Sequence, residues 1–453
     1  MVFRRKAAMD SKWHRSRYNL FAKVPGTDRI AGVNLYKGIC GDYSPVEMYL
    51  LSEVENLPVD HPIIERFRKR GLITDYDERE ALYTMGRLGT MDHREIGLTI
   101  CPTMGCNFDC PYCFEDHKPG RMTPEVQDQV VAFAFKLLQL SGAKALKVTW
   151  FGGEPLLMPD IIESLSIRLM ELAKQHGAEY RASIITNGYL LDHSVLDILV
   201  RSKIEHMQIT LDGLRENHDA TRHLAGGGGT FDRIIRNLKE LSIPFQVKIR
   251  QNVHEGNRQD VEPLKELVRS VAEESGNDIC HYAFHVAAND ASSRRGSGLE
   301  LLNDEEKLTT ELPLNVTRFK AARGHYCSAT RFWDVGIDEA GRLYKCWEHV
   351  DKPELSFGTV DTWDPTNPID TATNPDILCS FLNMALPNLD PKCAECIWLP
   401  ACVGGCPVRR LEGRIDCINY KDKPEVYVLK LYEQMMKNNE NNNETGGDHG
   451  SKD

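Results

Sequence analysis

From Ile96 to Ala287 the chain alternates short apolar runs with helix-forming stretches, and no other feature limits its fold more. The run IGLTIC ends at Cys101, and a helix is expected from Thr123 to about Leu140. KVTWF, RASIITNGYLL, HMQITLDG, FQVKIRQNV and HYAFHVA (281–287) then read as strands, with helices expected at 160–176, 192–202 and 230–241. Such repetition predicts an α/β fold, a parallel sheet with right-handed crossovers. Ligand sites in these folds collect at the carboxyl ends of the strands.

Just past the first strand stands CNFDCPYC, which places Cys106, Cys110 and Cys113 at C-x3-C-x2-C spacing. One short loop can aim three such sulfurs at a common centre. Thiolate is a soft ligand that suits zinc or an iron–sulfur cluster. A structural zinc site wants four closed ligands, whereas three around a four-iron cluster leave one iron open. Cys101 reads more simply as a strand-end cysteine. Downstream, KVTWF runs into Gly152-Gly153-Glu154; the glycines let backbone approach a ligand closely, and Glu154 sits at the strand's carboxyl end.

A length of 453 residues predicts two or three domains. The net charge of −11 supplies no global basic field for nucleic acid. The opening MVFRRKAAMDSKWHRSR is basic but lacks the apolar core of a signal peptide, and no run approaches the roughly 20 apolar residues of a membrane span. The expectation is a cytoplasmic protein that binds neither nucleic acid nor membrane. Fourteen cysteines in that setting argue for metal over disulfides. They concentrate at 106–113 and from Cys327 to Cys417, with Cys280 alone between.

In residues 1–95, YNLFAKV (18–24) and RIAGVNLY (29–36) predict two strands around PGTD. Ser44-Pro45 opens a helix to about Asn56, HPIIERFRKRG forms a second ending at Gly71, LIT (72–74) is a short strand, and a charged helix spans Asp75 to Met85. This strand–strand–helix–helix–strand order is winged-helix-like. In 212–231 four successive glycines lack the Gly-Lys-Ser/Thr of a phosphate loop and predict a turn capped by Thr230.

The cysteine loop followed by a strand ending in GGE resembles the signature of the radical S-adenosylmethionine (SAM) enzymes. The resemblance implies a partial (β/α)6 barrel over 96–320 in which Cys106, Cys110 and Cys113 hold a [4Fe–4S] cluster whose open iron binds SAM. An electron from the cluster cleaves SAM to a 5′-deoxyadenosyl radical that takes hydrogen from substrate. Gly152, Gly153 and Glu154 are implied at the SAM amino group, Thr186, Asn187 and Arg250 at its ribose or carboxylate, and Tyr112 near the adenine. The string DG…HD..R…GTF (212–231) resembles the peptide-modifying branch; His218, Asp219 and Arg222 are read as structural, with no catalytic role.

Further on, Cys327, Gly341 and Cys346 form C-x13-G-x4-C, and Cys393, Cys396, Cys402 and Cys406 form C-x2-C-x5-C-x3-C ahead of Cys417. This order over 321–425 resembles the SPASM extension. It implies two auxiliary [4Fe–4S] clusters, three in all, with Cys327, Cys346 and Cys406 on the first and Cys393, Cys396, Cys402 and Cys417 on the second. Thr330 to Trp333 stand where sulfatase maturases carry a further cysteine, so either Cys379 completes the first cluster or that iron stays open to a substrate sulfur. The leading domain resembles the peptide-recognition domains of such maturases, which seat a precursor's leader on a strand edge. Residues 426–453 read as a terminal helix, VYVLKLYEQMM, and a disordered polar tail. The expected function is a maturase forming a thioether in a ribosomal precursor peptide, with a flavodoxin or ferredoxin as electron donor. Carbon–carbon cross-linking, formylglycine formation and epimerisation are the alternatives; Trp347, where sulfatase maturases carry an Asp, counts against the second.

Overall fold

The computed structural model describes residues 13–253, 255–278, 281–286, 327–384, 390–415, 417 and 419–445. It divides into two compact units, one of residues 1–90, 304–327 and 383–453 and a larger one of 91–303 and 328–382.

In the smaller unit, β1 (His14–Arg15) precedes a three-stranded antiparallel sheet of β2 (Asn19–Lys23), β3 (Ile30–Asn34) and β4 (Ile39–Tyr43). The third strand escapes the sequence reading because ICGDY carries a glycine and an aspartate. Gly41 pairs with Gly32 across the strands. A Cβ on Gly32 would meet the rings of Tyr43 at 2.7 Å and Phe21 at 2.8 Å, so the glycine makes room for aromatic packing. Ser44 caps the helix Pro45–Ser52 through a complete capping box with Glu47. Helix Pro62–Lys69 ends before Gly71 at φ +74°, and the following β5 (Ile73–Thr74) pairs with β1, outside the three-stranded sheet. A third helix, Glu78–Thr90, runs past Met85.

The chain's last helix spans Pro424–Thr445, further than its apolar stripe predicts, because neither Gly nor Pro interrupts the Asn/Glu stretch before Gly446. Residues 446–453, the end of the expected disordered tail, lie outside the described residues, as do Cys280 and Ala287. Tyr18, Leu20, Val33, Trp398, Tyr427 and Leu431 form one buried cluster, so the two ends of the sequence share a core.

The larger unit carries six parallel strands in sequence order: β6 (Glu95–Ile100), β7 (Ala145–Trp150), β8 (Glu179–Thr186), β9 (Ile204–Thr210), β10 (Gln246–Val253) and β11 (His281–Val286). Helices Pro124–Ser141, Pro159–Gln175, His193–Arg201 and Phe231–Glu240 fall where expected. Helices Arg215–Thr221 and Val261–Ser275 are additions. Beyond β6 the sheet continues with β12 (Asp334–Ile337), parallel to it, then antiparallel β13 (Arg342–Tyr344) and β14 (Gly358–Thr359).

Alternate residues set the two faces of this sheet. Ile96, Leu98, Leu146, Val148, Ile184, Met207 and Ile249 join the helix-packed core. Thr99, Lys147, Thr149, Ser183, Gln208 and Arg250 occupy the intervening positions, and Thr149 Oγ1 lies 3.2 Å from Ser183 Oγ across adjacent strands. Parallel sheets normally bury both faces in apolar contacts. A polar second face is an interior surface made for something other than packing.

Candidate functional site

Cys101, fully buried, follows β6 directly, and the chain turns into the three-cysteine loop at the strands' carboxyl end. Gly152 and Gly153 follow β7 and press against this loop. A Cβ on Gly153 would strike the carbonyl oxygens of Gly105 and Met104, the latter at 2.5 Å, and one on Gly152 (φ +112°) would strike Thr103 O. The close approach expected of these glycines is therefore made first by the chain's own loop. Glu154 N donates to Gly105 O at 2.9 Å, closing the clamp.

The Glu154 side chain is buried and spent on main-chain order. Its carboxylate accepts from Leu156 N (2.9 Å), Thr186 Oγ1 (2.6 Å) and Asn187 N (2.7 Å). Burial raises its pKa while these hydrogen bonds pull it down. Asn187 Nδ2 donates to Asn107 Oδ1 at 2.8 Å, so the ends of β7 and β8 and the cysteine loop are tied together. Glu154, Thr186 and Asn187, far apart in sequence, form one cluster.

Tyr112, inside the loop, heads a second network. Its hydroxyl donates to Asp212 Oδ2 and accepts from Arg222 Nη1 (2.8 Å) and Asn252 Nδ2 (3.3 Å). Arg250 Nε donates to Asn252 Oδ1 at 3.1 Å, and burial lowers the Arg250 pKa. The 212–231 string folds onto itself: Asp212 N donates to His218 Nδ1 at 3.2 Å, and His218 Nε2 pairs with Thr230 Oγ1 at 3.0 Å. Thr230 does not cap its helix as expected. Its hydroxyl donates to Arg222 O, and Asp219 Oδ1 accepts from Thr230 N (2.7 Å) and Phe231 N (2.9 Å) instead. The same string stitches the cysteine loop down: Phe108 and Leu224 form an antiparallel bridge, Asp109 N donates to His223 O, and Ala225 N donates to Asn107 O. Sequence reasoning gave Asp212 and Arg222 no place in the site; the only signal was their common string.

Cys106, Cys110 and Cys113 are half-buried, and burial pushes all three thiols up, Cys113 to about 12. Cys106 is raised further by Glu154 and by the other two cysteines, which places the three sulfurs within electrostatic reach of one another. Thiols held close at such cost become good ligands once a metal takes the protons' place. Two buried donors facing this loop, Asn107 Nδ2 and Arg222 Nε, find no partner among the described residues. Soft donors on a glycine-clamped loop, with unspent donors beside them, fit an iron–sulfur group. Cys113 also contacts His117 Nε2 at 3.0 Å, and Cys113, Glu115 and His117 could jointly reach an ion; burial, then Asp351, pushes the Glu115 carboxyl up to about 8.

The remaining cysteines are spread over both units. Cys346 precedes the short turn Trp347–His349, and Gly341 lies at φ +79°. The Trp347 ring packs on Phe151 (5.4 Å between centroids), and Phe151 stacks on Phe114 (6.3 Å), a row beginning beside Cys113. Trp347 also lines a cavity of about 130 Å³ against the polar sheet face, with Thr99, Thr149 and Lys345. Cys379 is half-buried in helix Pro375–Asn383, while Cys327 and Cys417 are exposed. In the smaller unit Cys402 is pushed up to about 11 by burial first and then by Cys393, Cys396 and Cys417, so each of these three lies within electrostatic reach of it. Cys406 stands at the start of the short helix Pro407–Leu411.

Among the described residues no helix is long and apolar enough to cross a membrane. Residues 100–268 match the model of the Radical SAM superfamily. The chain is similar to the Fe-coproporphyrin III synthase of Methanosarcina barkeri, 24% identical over 72% of this chain and 86% of that protein. It is likewise similar to the cysteine-type anaerobic sulfatase-maturating enzyme of Clostridium novyi, 22% identical over 75% of this chain and 96% of the relative. Its fold resembles Streptococcus suis SuiB bound to the precursor peptide SuiA, with a TM-score of 0.51 at 17% identity over 88% of this chain and 97% of the other. Sequence match, sheet topology and cysteine loop agree: residues 100–268 of this chain are a radical SAM domain.

Proposed function

We propose that the protein is a radical SAM maturase of a ribosomally made peptide and that it installs a thioether. The observation that carries this reading is the three-cysteine loop, pinned by the chain's own backbone, beside a polar sheet face. When bound at Cys106, Cys110 and Cys113, a [4Fe–4S] cluster with SAM supplies one-electron chemistry that removes hydrogen from substrate. The chain's part is positioning. Glu154 locks the ends of β7 and β8 under the loop, and Tyr112, Asn252 and Arg250 offer polar groups where the cosubstrate would lie. Thr99, Thr149 and Ser183 present hydroxyls that suit a polar backbone such as a peptide, and the row Phe114, Phe151 and Trp347 keeps water from one wall.

The auxiliary clusters, with the ligands assigned above, would take the electron left on the product. The leader would add to an outer strand of the β2–β3–β4 sheet. Two named relatives act on, or are bound to, a protein or peptide, which supports a peptide substrate. Formylglycine formation is the second reading, supported by the length shared with the Clostridium novyi enzyme. Trp347 offers no carboxylate to act as a base beside Cys346, which favours the first.

The test is anaerobic incubation with SAM, a low-potential reductant and a cysteine-containing, leader-bearing peptide encoded beside the gene. Loss of two hydrogens per link, prevented by alkylating the peptide's cysteines, is the expected result. A formylglycine product, or an unchanged mass with inverted stereochemistry, sinks the thioether reading.

A further inference from the structure

Arg222 has so far been given only structural contacts, yet its segment holds the three-cysteine loop in place. Its neighbours in sequence are stitched to that loop by main chain, through the Phe108–Leu224 bridge, Asp109 N to His223 O at 3.1 Å and Ala225 N to Asn107 O at 2.9 Å. Its own backbone is fixed at both polar atoms: the N–H donates to His218 O at 2.7 Å and the carbonyl accepts from Thr230 Oγ1 at 2.6 Å. The side chain then runs along the loop, with the guanidinium carbon 5.6 Å from the Phe108 ring centroid and Nη1 donating to the Tyr112 hydroxyl at 2.8 Å. Phe108 and Tyr112 flank Cys110 in sequence, so both anchors hold the cation against the loop that carries that cysteine.

Acidic groups oppose the cation at this spot, Asp109 and Asp212 at Cys110 and Glu115 at Cys113. Asp212 meets Arg222 through the shared Tyr112 hydroxyl. Burial depresses the His218 pKa well below its usual value, which leaves that ring neutral. Nothing in an ordinary core needs an arginine here, with Nε buried and unspent among the described residues.

We propose that Arg222 is the built-in counter-charge of the three-cysteine centre and that it sets the centre's reduction potential. The inference rests on the assignment of a [4Fe–4S] cluster to Cys106, Cys110 and Cys113. One electron from a low-potential donor enters such a centre without a proton, so its net charge becomes more negative by one. A fixed cation at short range in a poorly solvated site stabilises the reduced form more than the oxidised form. Arg222 thus raises the potential toward that of the donor while SAM is in place. It is a positioning residue for charge and touches no reacting atom.

The experiment is an EPR-monitored redox titration of reconstituted full-length wild-type, R222K and R222M protein. The relevant signal is the one that changes on adding SAM and is missing from the C106A/C110A/C113A protein. R222M should titrate at a clearly lower potential, with R222K close to wild type and SAM affinity nearly unchanged. A wild-type potential in loaded R222M overturns the proposal, and so does weakened SAM binding at wild-type potential, which would make Arg222 a cosubstrate contact. Should R222M fail to load, R222Q, which keeps a donor for Tyr112 without charge, decides by the same criterion. Loss of the centre in both neutral variants also overturns it, because Arg222 would then be a structural clamp. A wild-type protein with no SAM-responsive signal fails the cluster assignment, a result distinct from all of these.

Discussion

Two cysteine-bearing segments invite comparison, one in each unit. Residues 101–113 of the larger unit are held by partners distant in sequence: Gly152 to Glu154 beneath, Asn187 at one side, and Arg222 to Ala225 along the backbone. The described residues of 390–415 in the smaller unit include three one-turn helices, Pro391–Ala394, Leu399–Cys402 and Pro407–Leu411. Their hydrogen bonds are largely local, such as Cys396 N to Cys393 O and Cys402 N to Trp398 O. Longer-range support includes Trp398, buried against Tyr427, and Glu395, which meets Arg17 and Arg79. One-turn helices are unstable alone. The first segment is thus shaped by protein, whereas the second, under the proposed function, would be completed by metal.

The sharpest way to break this contrast is to remove the metal. Anaerobic chelation should strip hydrogen-exchange protection from residues 391–411 while leaving the amides of Glu154, Asn187 and Ala225 protected. Equal loss in both segments would show that the larger unit's loop also depends on its ligand. Next in size is Gly153→Ala. The added carbon meets backbone oxygens, which cannot rotate away, so the strand end or the loop must shift. A cost of about 2–3 kcal/mol is expected for such overpacking, read as a fall in the denaturation midpoint together with loss of iron from the 106–113 site. A variant that loads and melts like wild type would mean that the clamp is slack.

Sequence alone carried much of this. The strand–helix alternation, the cysteine spacing and the Ser44 cap were legible because each is local and periodic. Three things were not. The partner of Gly152 and Gly153 is the chain's own loop, about fifty residues earlier, and a glycine pair does not say what approaches it. DGLRENHDAT shows no apolar helical period and no helix is predicted there, yet helix Arg215–Thr221 forms because Asp260 secures its start through Leu214 N and the Asn217 side chain. Strands β12 to β14 are two to four residues long, too short to show a period, and exist because the edge of β6 is available to pair.

A pH dependence sharpens the comparison from the smaller unit's side. Glu78 is buried and accepts from Ser16 Oγ (2.8 and 3.0 Å) and Arg17 N (3.1 Å). Burial outweighs these bonds and raises its pKa above the ordinary value of 4.5. Above the unfolded value, then, the folded chain holds the proton that the unfolded chain has lost. Stability falls as pH climbs from 4.5 toward the folded-state pKa. Glu78→Gln should flatten that slope in denaturant melts followed at both ends of the window, and an unchanged slope would exclude Glu78 as its source.

The smallest effect is expected at Glu395, and its size is the point. This carboxylate lies between Cys393 and Cys396 and bonds Arg17 Nη2 and Arg79 Nη1, each at 2.6 Å, but its side chain is 62% exposed. Exposed pairs contribute little because solvent screens them, so Glu395→Gln should lower stability only slightly and respond to salt. In metal-loaded protein that loss should be hidden, because ligation already fixes the segment. In chelated protein it should appear as faster exchange of the Cys396 and Leu399 amides. An equal effect in both states would mean that the ion pairs act independently of the metal, and that the second segment is held by protein as firmly as the first.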